Sequence, residues 1–292
     1  MGESQPEAYL LGRDAEESAR LNNQHDFLLK VSGNDLIHPS IPIDSIESIA
    51  DIATGTGIWI KEVSSFLSTR KPRVPSPQYY IHGFDISSAQ FQHVPTQKET
   101  EIHLSVHNCL EPFPSEHHGR YDFVHVRLLL GALKIEEYEH ALKNILDILK
   151  PNGYFQWEEI HMSSIDFDVS PRPPSINEIN RLIVGAMNKS GLCIIPAKHI
   201  KKEAQRVGFD DLYIEEYDSD SKPQLRDSSR AWVIHASKSL VPMSMLRVGE
   251  ETDEAIAKEK TEKLVAEVER ECAGAAALVK LNCVIGRKPN SV

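Results

Sequence analysis

The run Ser48-Ile49-Ala50-Asp51-Ile52-Ala53-Thr54-Gly55-Thr56-Gly57-Ile58-Trp59-Ile60 is the segment from which the architecture follows. Ser48 to Ile52 has the composition of a short buried strand. Trp59, Val63, Phe66 and Leu67 then recur at helical period, so a helix is expected directly after the two glycines. A strand running through a small-residue turn into a helix gathers backbone N–H groups and a helix N-terminus at one point, which suits a polar or anionic ligand. Glycine is needed there because a residue without Cβ lets the ligand approach the backbone. The turn is not a dinucleotide fingerprint, because Ile60 occupies the third glycine position.

Outward from this segment the pattern alternates. Tyr79 to Ser87 reads as a second strand ending in Asp85, an acid placed to accept hydrogen bonds from ribose hydroxyls in an alternating α/β unit, with Ile86 beside it. Ile102 to Val106 reads as a third strand running into Asn108 and Cys109. Tyr121 to Arg127 reads as a fourth, carrying His125, Val126 and Arg127. A helix follows with Tyr138, Ala141, Leu142, Ile145, Ile148 and Leu149 on one face, stopped by Pro151-Asn152-Gly153, and Tyr154 to Glu159 is a fifth strand. Strands alternating with amphipathic helices specify a doubly wound, mostly parallel sheet, whose ligands bind outside the carboxyl ends of the strands. Gly55, Asp85, Asn108 and Val126 all fall on that rim.

Composition narrows the function. Among 292 residues, 43 acids against 32 bases give a net charge of −11, which argues against a broad nucleic-acid or anionic-membrane surface. The four cysteines, Cys109, Cys193, Cys272 and Cys283, lack the paired spacing of a metal site, so no metal is expected. No apolar run reaches the length of a membrane span, and the first residues lack a secretory h-region. A soluble, cytoplasmic protein is expected. No Tyr-x-x-x-Lys pair supports a short-chain dehydrogenase, and no Pro-Cys nucleophile supports a C5-pyrimidine enzyme.

Asp51-Ile52-Ala53-Thr54-Gly55-Thr56-Gly57-Ile58-Trp59, Leu110-Glu111-Pro112-Phe113-Pro114, Tyr121 to Gly131 and Leu149 to Glu159 together resemble the class I S-adenosylmethionine-dependent methyltransferases, and within them the fungal secondary-metabolism group. The resemblance implies a seven-stranded Rossmann-like sheet with S-adenosylmethionine as cofactor. It implies that Asp51 faces the cofactor's ammonium group and that Asn108 meets the adenine amino group. The backbones of Ala53, Gly55, Gly57, Ile86, Cys109, Val126 and Arg127 would complete the cofactor site. Ala53 and Asn152 stand where the family usually has glycine, and Asn108 where it usually has an acid. The function implied is methyl transfer to an N, O or S atom of a small secondary metabolite. The alternative is a methyltransferase-fold regulator acting through protein partners.

Residues 1–47 are expected to form a helical lid and residues 48–292 the methyltransferase domain, with cap insertions at about 160–207 and 218–277. Asp14 is a candidate N-cap for a helix to about Val31, with Glu17 at the capping-box position. That helix looks too polar to be core. Leu212 to Tyr217 reads as a sixth strand and Leu278 to Ile285 as the last, joined in an antiparallel hairpin. His125 and Glu158, polar residues at the ends of neighbouring strands, are the expected catalytic pair, with histidine able to take a proton near neutral pH.

Overall fold

The computed structural model describes residues 15–70, 79–91, 100–162 and 166–290. The Asp14 cap and the proline-rich loop from Lys71 to Pro77 lie outside the described residues. Strand β1 (Ser48–Ile52) is buried throughout, and α2 (Ile58–Arg70) follows the glycine turn. Next come β2 (Tyr79–Asp85), β3 (Thr100–Val106), β4 (Tyr121–Arg127), α3 (Tyr138–Ile148) and β5 (Leu149–Ile160). The helix α3 ends before Pro151, whose ring cannot continue a helix and whose missing N–H removes a donor.

The sheet has seven strands in the order β3-β2-β1-β4-β5-β9-β7, with β7 at Asp210–Asp218 and β9 at Lys280–Arg287. All neighbours from β3 to β5 are parallel, and β9 runs antiparallel to both β5 and β7. The doubly wound seven-stranded fold therefore stands, and the antiparallel hairpin partner is inserted between β5 and β7. A two-stranded sheet of β6 (Asp166–Phe167) and β8 (Ala277–Leu278) lies outside it.

Period-two alternation divides the core between the two faces of the sheet. Ala50, Val124, Trp157 and Val284 pack with α3 and α5 (Pro196–Val207) on one face. Ile49, Phe123 and Ile285 pack with Trp59, Ile60 and Val63 of α2 on the other. A third apolar cluster joins α1 (Ala15–Val31), α4 (Pro174–Lys189), α6 (Arg226–Val248) and α7 (Glu254–Glu271) beside the β5 end of the rim. The segment expected as a single insertion at 160–207 divides between these layers: α4 joins the helical group, whereas α5 flanks the sheet. Helix α7 buries Ala257, Thr261, Val265 and Val268 against the group, while Ile256 is 46% exposed.

Candidate active site

The turn after β1 carries two left-handed glycines, Gly55 at φ +56° and Gly57 at φ +77°, and a left-handed Ala53 at φ +58°. A Cβ on Gly55 would meet nothing nearer than Leu21 Cδ1 of α1, at 3.5 Å, so backbone conformation rather than crowding calls for glycine. At the end of β2, Asp85 Oδ2 accepts from the Gly55 amide at 2.9 Å and Oδ1 from the Ser87 amide at 3.1 Å. This locks the acid to the turn. Two large apolar side chains stand open at neighbouring strand ends, Ile86 at 56% and Val106 at 59% exposure. Val106 escaped the sequence reading, since an exposed valine ending a strand carries no motif. Asn108 Oδ1 caps its own turn through the Leu110 amide at 3.1 Å, and the Cys109 carbonyl accepts from Asn144 Nδ2 at 2.8 Å. Burial pushes the Cys109 thiol up to about 12, so it stays protonated.

Beneath the rim lies a polar row on the α2 face. Asp51 and His125 are register partners, as are Arg127 and Glu158. Asp51 is 2% exposed, with Oδ1 2.7 Å from His125 Nδ1 and Oδ2 accepting from Thr54 Oγ1 at 2.6 Å. Both oxygens of its carboxylate, expected to face a cofactor ammonium, are thus engaged by side chains of the protein. His125 is 1% exposed and stacked on Trp59, and its Nε2 lies 3.7 Å from Glu158 Oε2. Burial disfavours the charged ring, but the hydrogen bond to Asp51 and the nearby Glu158 carboxylate outweigh it and hold the imidazole above its ordinary value. Burial likewise works against a charged Glu158, and His125 and Arg127 overcome it, drawing the carboxyl below its ordinary value. The expected catalytic pair is therefore brought together, but buried beneath the rim, with both imidazole nitrogens turned towards carboxylates of the protein. Val126 is fully buried on the opposite face, so only its backbone borders the rim.

Three features had no motif to announce them. Gln156 bridges the row to the segment before β1, accepting from the His38 amide at 2.8 Å and donating to Glu158 Oε1 at 2.9 Å. Glu159, fully buried, takes the Leu129 amide and Trp157 Nε1 on one oxygen, each at 2.8 Å, and pins the turn where Leu128 adopts φ +58°. Burial pushes this carboxyl up to about 8. Helix α1 buries Gln24 and His25 as well as Phe27 and Leu28, so its polar face meets the rim, not solvent. His25, Asp26 and Glu62 bring ligand atoms within 4.8 Å of one another. Arg127 Nη2, however, donates to His25 Nδ1 at 2.5 Å, which leaves the ring proton on Nε2 and no lone pair there for a metal ion.

A small cavity opens on the same rim beside β5, lined by Ile160, His161, Met162, Trp232 and Lys280 among others. Among the described residues, no helix is long and apolar enough to cross a membrane.

The chain is similar to several known proteins. The chain is 31% identical over 271 residues to methyltransferase grgD of Penicillium sp, covering 91% of this chain and 92% of that one. It is 23% identical to N-methyltransferase gliN of Aspergillus fumigatus, over 70% of this chain and 68% of the other. Among solved structures, the cyclopropane synthase MmaA2 from Mycobacterium tuberculosis aligns with a TM-score of 0.49 at 12% identity, over 83% of this chain and 78% of that one. The profile of the methyltransferase domain matches residues 20–214, which include α1 from Arg20 onward, the glycine turn and the polar row of β1, β4 and β5. With well over half of its length matched, the chain belongs to the methyltransferase-domain family.

Proposed function

We propose that this protein transfers a methyl group from S-adenosylmethionine to an N, O or S atom of a small secondary metabolite. The observation that carries the reading is Asp85 locked onto the Gly55 amide, which sets a carboxylate and a left-handed glycine turn side by side on the rim. Asp85 would receive the ribose hydroxyls, and Ile86 and Val106 offer apolar surface to a flat base next to Asn108 and Cys109. The backbones of Ala53, Gly55, Gly57, Val126 and Arg127 border the same space. The cofactor's sulfonium, when bound, supplies the driving force for transfer. The chain's own task is alignment and the exclusion of water. Arg127 stays charged and orients neighbouring acids; Asp51, His125 and Glu158 hold the strand ends that carry the turn.

Residues 15–47 act as a lid and the α4, α6 and α7 helices as a cap in this reading, with the acceptor entering beside β5. Several relatives are N-methyltransferases, among them verN of Clonostachys rogersoniana, so amines and amides are the acceptors to assay first.

Calorimetry with S-adenosylhomocysteine tests the cofactor site. Gly55→Val should abolish binding, and Asp85→Ala should weaken it by about 1.5–3 kcal/mol, the scale of a hydrogen bond to a charged group. Full affinity in both variants would place the cofactor elsewhere. Turnover of any small acceptor would separate an enzyme from a regulator acting through protein partners.

A further inference from the structure

Helix α1 is seated on the glycine turn by polar contacts. Asn22 Oδ1 accepts from Thr56 Oγ1 at 2.7 Å, and Leu21 stands over Gly55. One turn further along, His25 is 1% exposed and its Nδ1 lies 2.5 Å from Arg127 Nη2. A guanidinium offers only donors, so this contact exists only while Nδ1 is bare and the ring neutral. The ring's Nε2 lies 2.9 Å from Glu62 Oε2 but is not aligned for a hydrogen bond.

Protonation would place a second hydrogen on Nδ1, aimed at the guanidinium, and turn the contact into one between two cations. The charged groups facing His25 are Arg127 from β4, Glu62 from α2 and Asp26 on α1 itself. From α6 the neighbour of this part of α1 is apolar, Trp232 stacked on Phe27 at 5.3 Å. Burial and Arg127 oppose charging of the ring, whereas Glu62 and Asp26 favour it. Burial leads, and the imidazole sits below its ordinary value. Glu62 is one-third exposed and Asp26 is exposed, so both carboxylates act through solvent, which weakens them against the direct contact with Arg127.

We propose that His25 is a positioning residue: as a neutral imidazole it holds Arg127 at the rim and latches α1 over the glycine turn, and its protonation releases the helix. Cofactor affinity therefore falls as the pH is lowered. The inference rests on the cofactor reading above, and the experiment separates the two.

In the cofactor-free protein, hydrogen exchange over residues 18–31, corrected for intrinsic rates, is compared at pH 8 and pH 5.5. Protection should be lost at the lower pH in the wild type and retained in His25→Asn, whose Oδ1 replaces the Nδ1 acceptor without titrating. Arg127→Gln, which removes the second cation, should also remove the pH dependence. Calorimetry with S-adenosylhomocysteine then should show the dissociation constant rising about tenfold or more between these pH values in the wild type, the effect of one linked pKa unit, with the rise absent in His25→Asn. Equal pH dependence of exchange in wild type and His25→Asn overturns the latch. Absent binding at both pH values overturns the cofactor reading instead, and the exchange comparison still decides the latch.

Discussion

Trp59 lies flat on His125, with ring centroids 3.9 Å apart and planes 4° from parallel. Trp59 opens the helix after the glycine turn and His125 sits in β4, so this contact ties the turn to the middle of the sheet. The ring it covers is held from one side by Asp51 and faces Glu158 on the other. A positive ring over indole is favoured by the π-face, by roughly 0.5–2 kcal/mol depending on desolvation. The turn is thus held by the polar row beneath it as well as by its glycines.

Breaking that charge balance should cost stability. His125→Phe keeps a ring on Trp59 but leaves Asp51 and Glu158 as buried carboxylates with less compensation, a loss of about 3–5 kcal/mol in urea unfolding. The pH dependence follows from the directions of the shifts. His125 is raised, so its contribution is complete below the unfolded imidazole value of 6.5 and is lost as pH rises through the folded value. Glu158 is lowered, so its contribution is complete above the unfolded carboxyl value of 4.5 and is lost as pH falls through the folded one. The penalty of the substitution should therefore be greatest between these two values. A penalty flat from pH 4 to 9 would mean that the ring is not charged in the folded protein.

The burial of this ring bears on the chemical step. With cofactor saturating, His125→Asn should leave the shape of the pH–rate profile unchanged, because the imidazole is 1% exposed and both its nitrogens face carboxylates of the protein. A fall in turnover of about 100-fold or more in a folded variant, together with loss of one limb of the profile, would return His125 to the role of general base.

Much of this was legible in the sequence because it rests on periodicity. The order of strands, the polar strand ends and the glycine turn all follow from spacings of two and of three to four. What escaped was set by tertiary contacts. The family resemblance assigns Asp51 to the cofactor, and sequence alone does not show that its register partner on β4 is a histidine on the same face. Helix α1 looked only too polar to be core, because polarity alone does not reveal whether a polar face meets water or other polar groups. His25 and Gln24 are buried because Arg127, Glu62 and Arg20 receive them. Glu159 gave no signal beyond being the second of two acids, and only the turn at Leu128 explains it.

Acid should destabilise the protein through His82. Its Nδ1 and Nε2 are engaged by Tyr80 Oη at 2.9 Å and Ser105 Oγ at 2.8 Å, and the ring stacks on Phe84. Burial, then the neighbouring His117, His103 and Arg120, push it down to about 3. The unfolded chain binds this proton near 6.5 and the folded protein does not, so stability is lost as pH falls from 6.5 towards 3. One such group contributes a slope of about 1.4 kcal/mol per pH unit. His82→Gln, which keeps a donor and an acceptor without titrating, should flatten the acid limb of the unfolding free energy by that amount. An unchanged slope would show that His82 is protonated in the fold.

Ala53 offers the most direct test of how the turn is built. The family's usual glycine is missing here, and the structure places alanine at φ +58°, as it places Asn152 at φ +64° where another glycine is usual. Asparagine tolerates this region through its short polar side chain, whereas alanine carries the full Cβ clash with the following carbonyl, roughly 1–2 kcal/mol. Glycine would relieve that strain and add backbone freedom to the unfolded chain, an opposing cost of about 0.4–1 kcal/mol. Relief should win by a small margin, since the clash is the larger quantity. Ala53→Gly is expected to raise stability by up to about 1.6 kcal/mol in urea unfolding, as the difference between these two terms. S-adenosylhomocysteine affinity should stay within a few-fold of wild type, because the Thr54 amide still donates to the Phe84 carbonyl at 3.0 Å and holds the turn in place. A loss of stability would mean that Ala53 is not strained and that the turn departs from the left-handed geometry. A large loss of affinity with stability intact would mean that the methyl group itself forms part of the cofactor's seat.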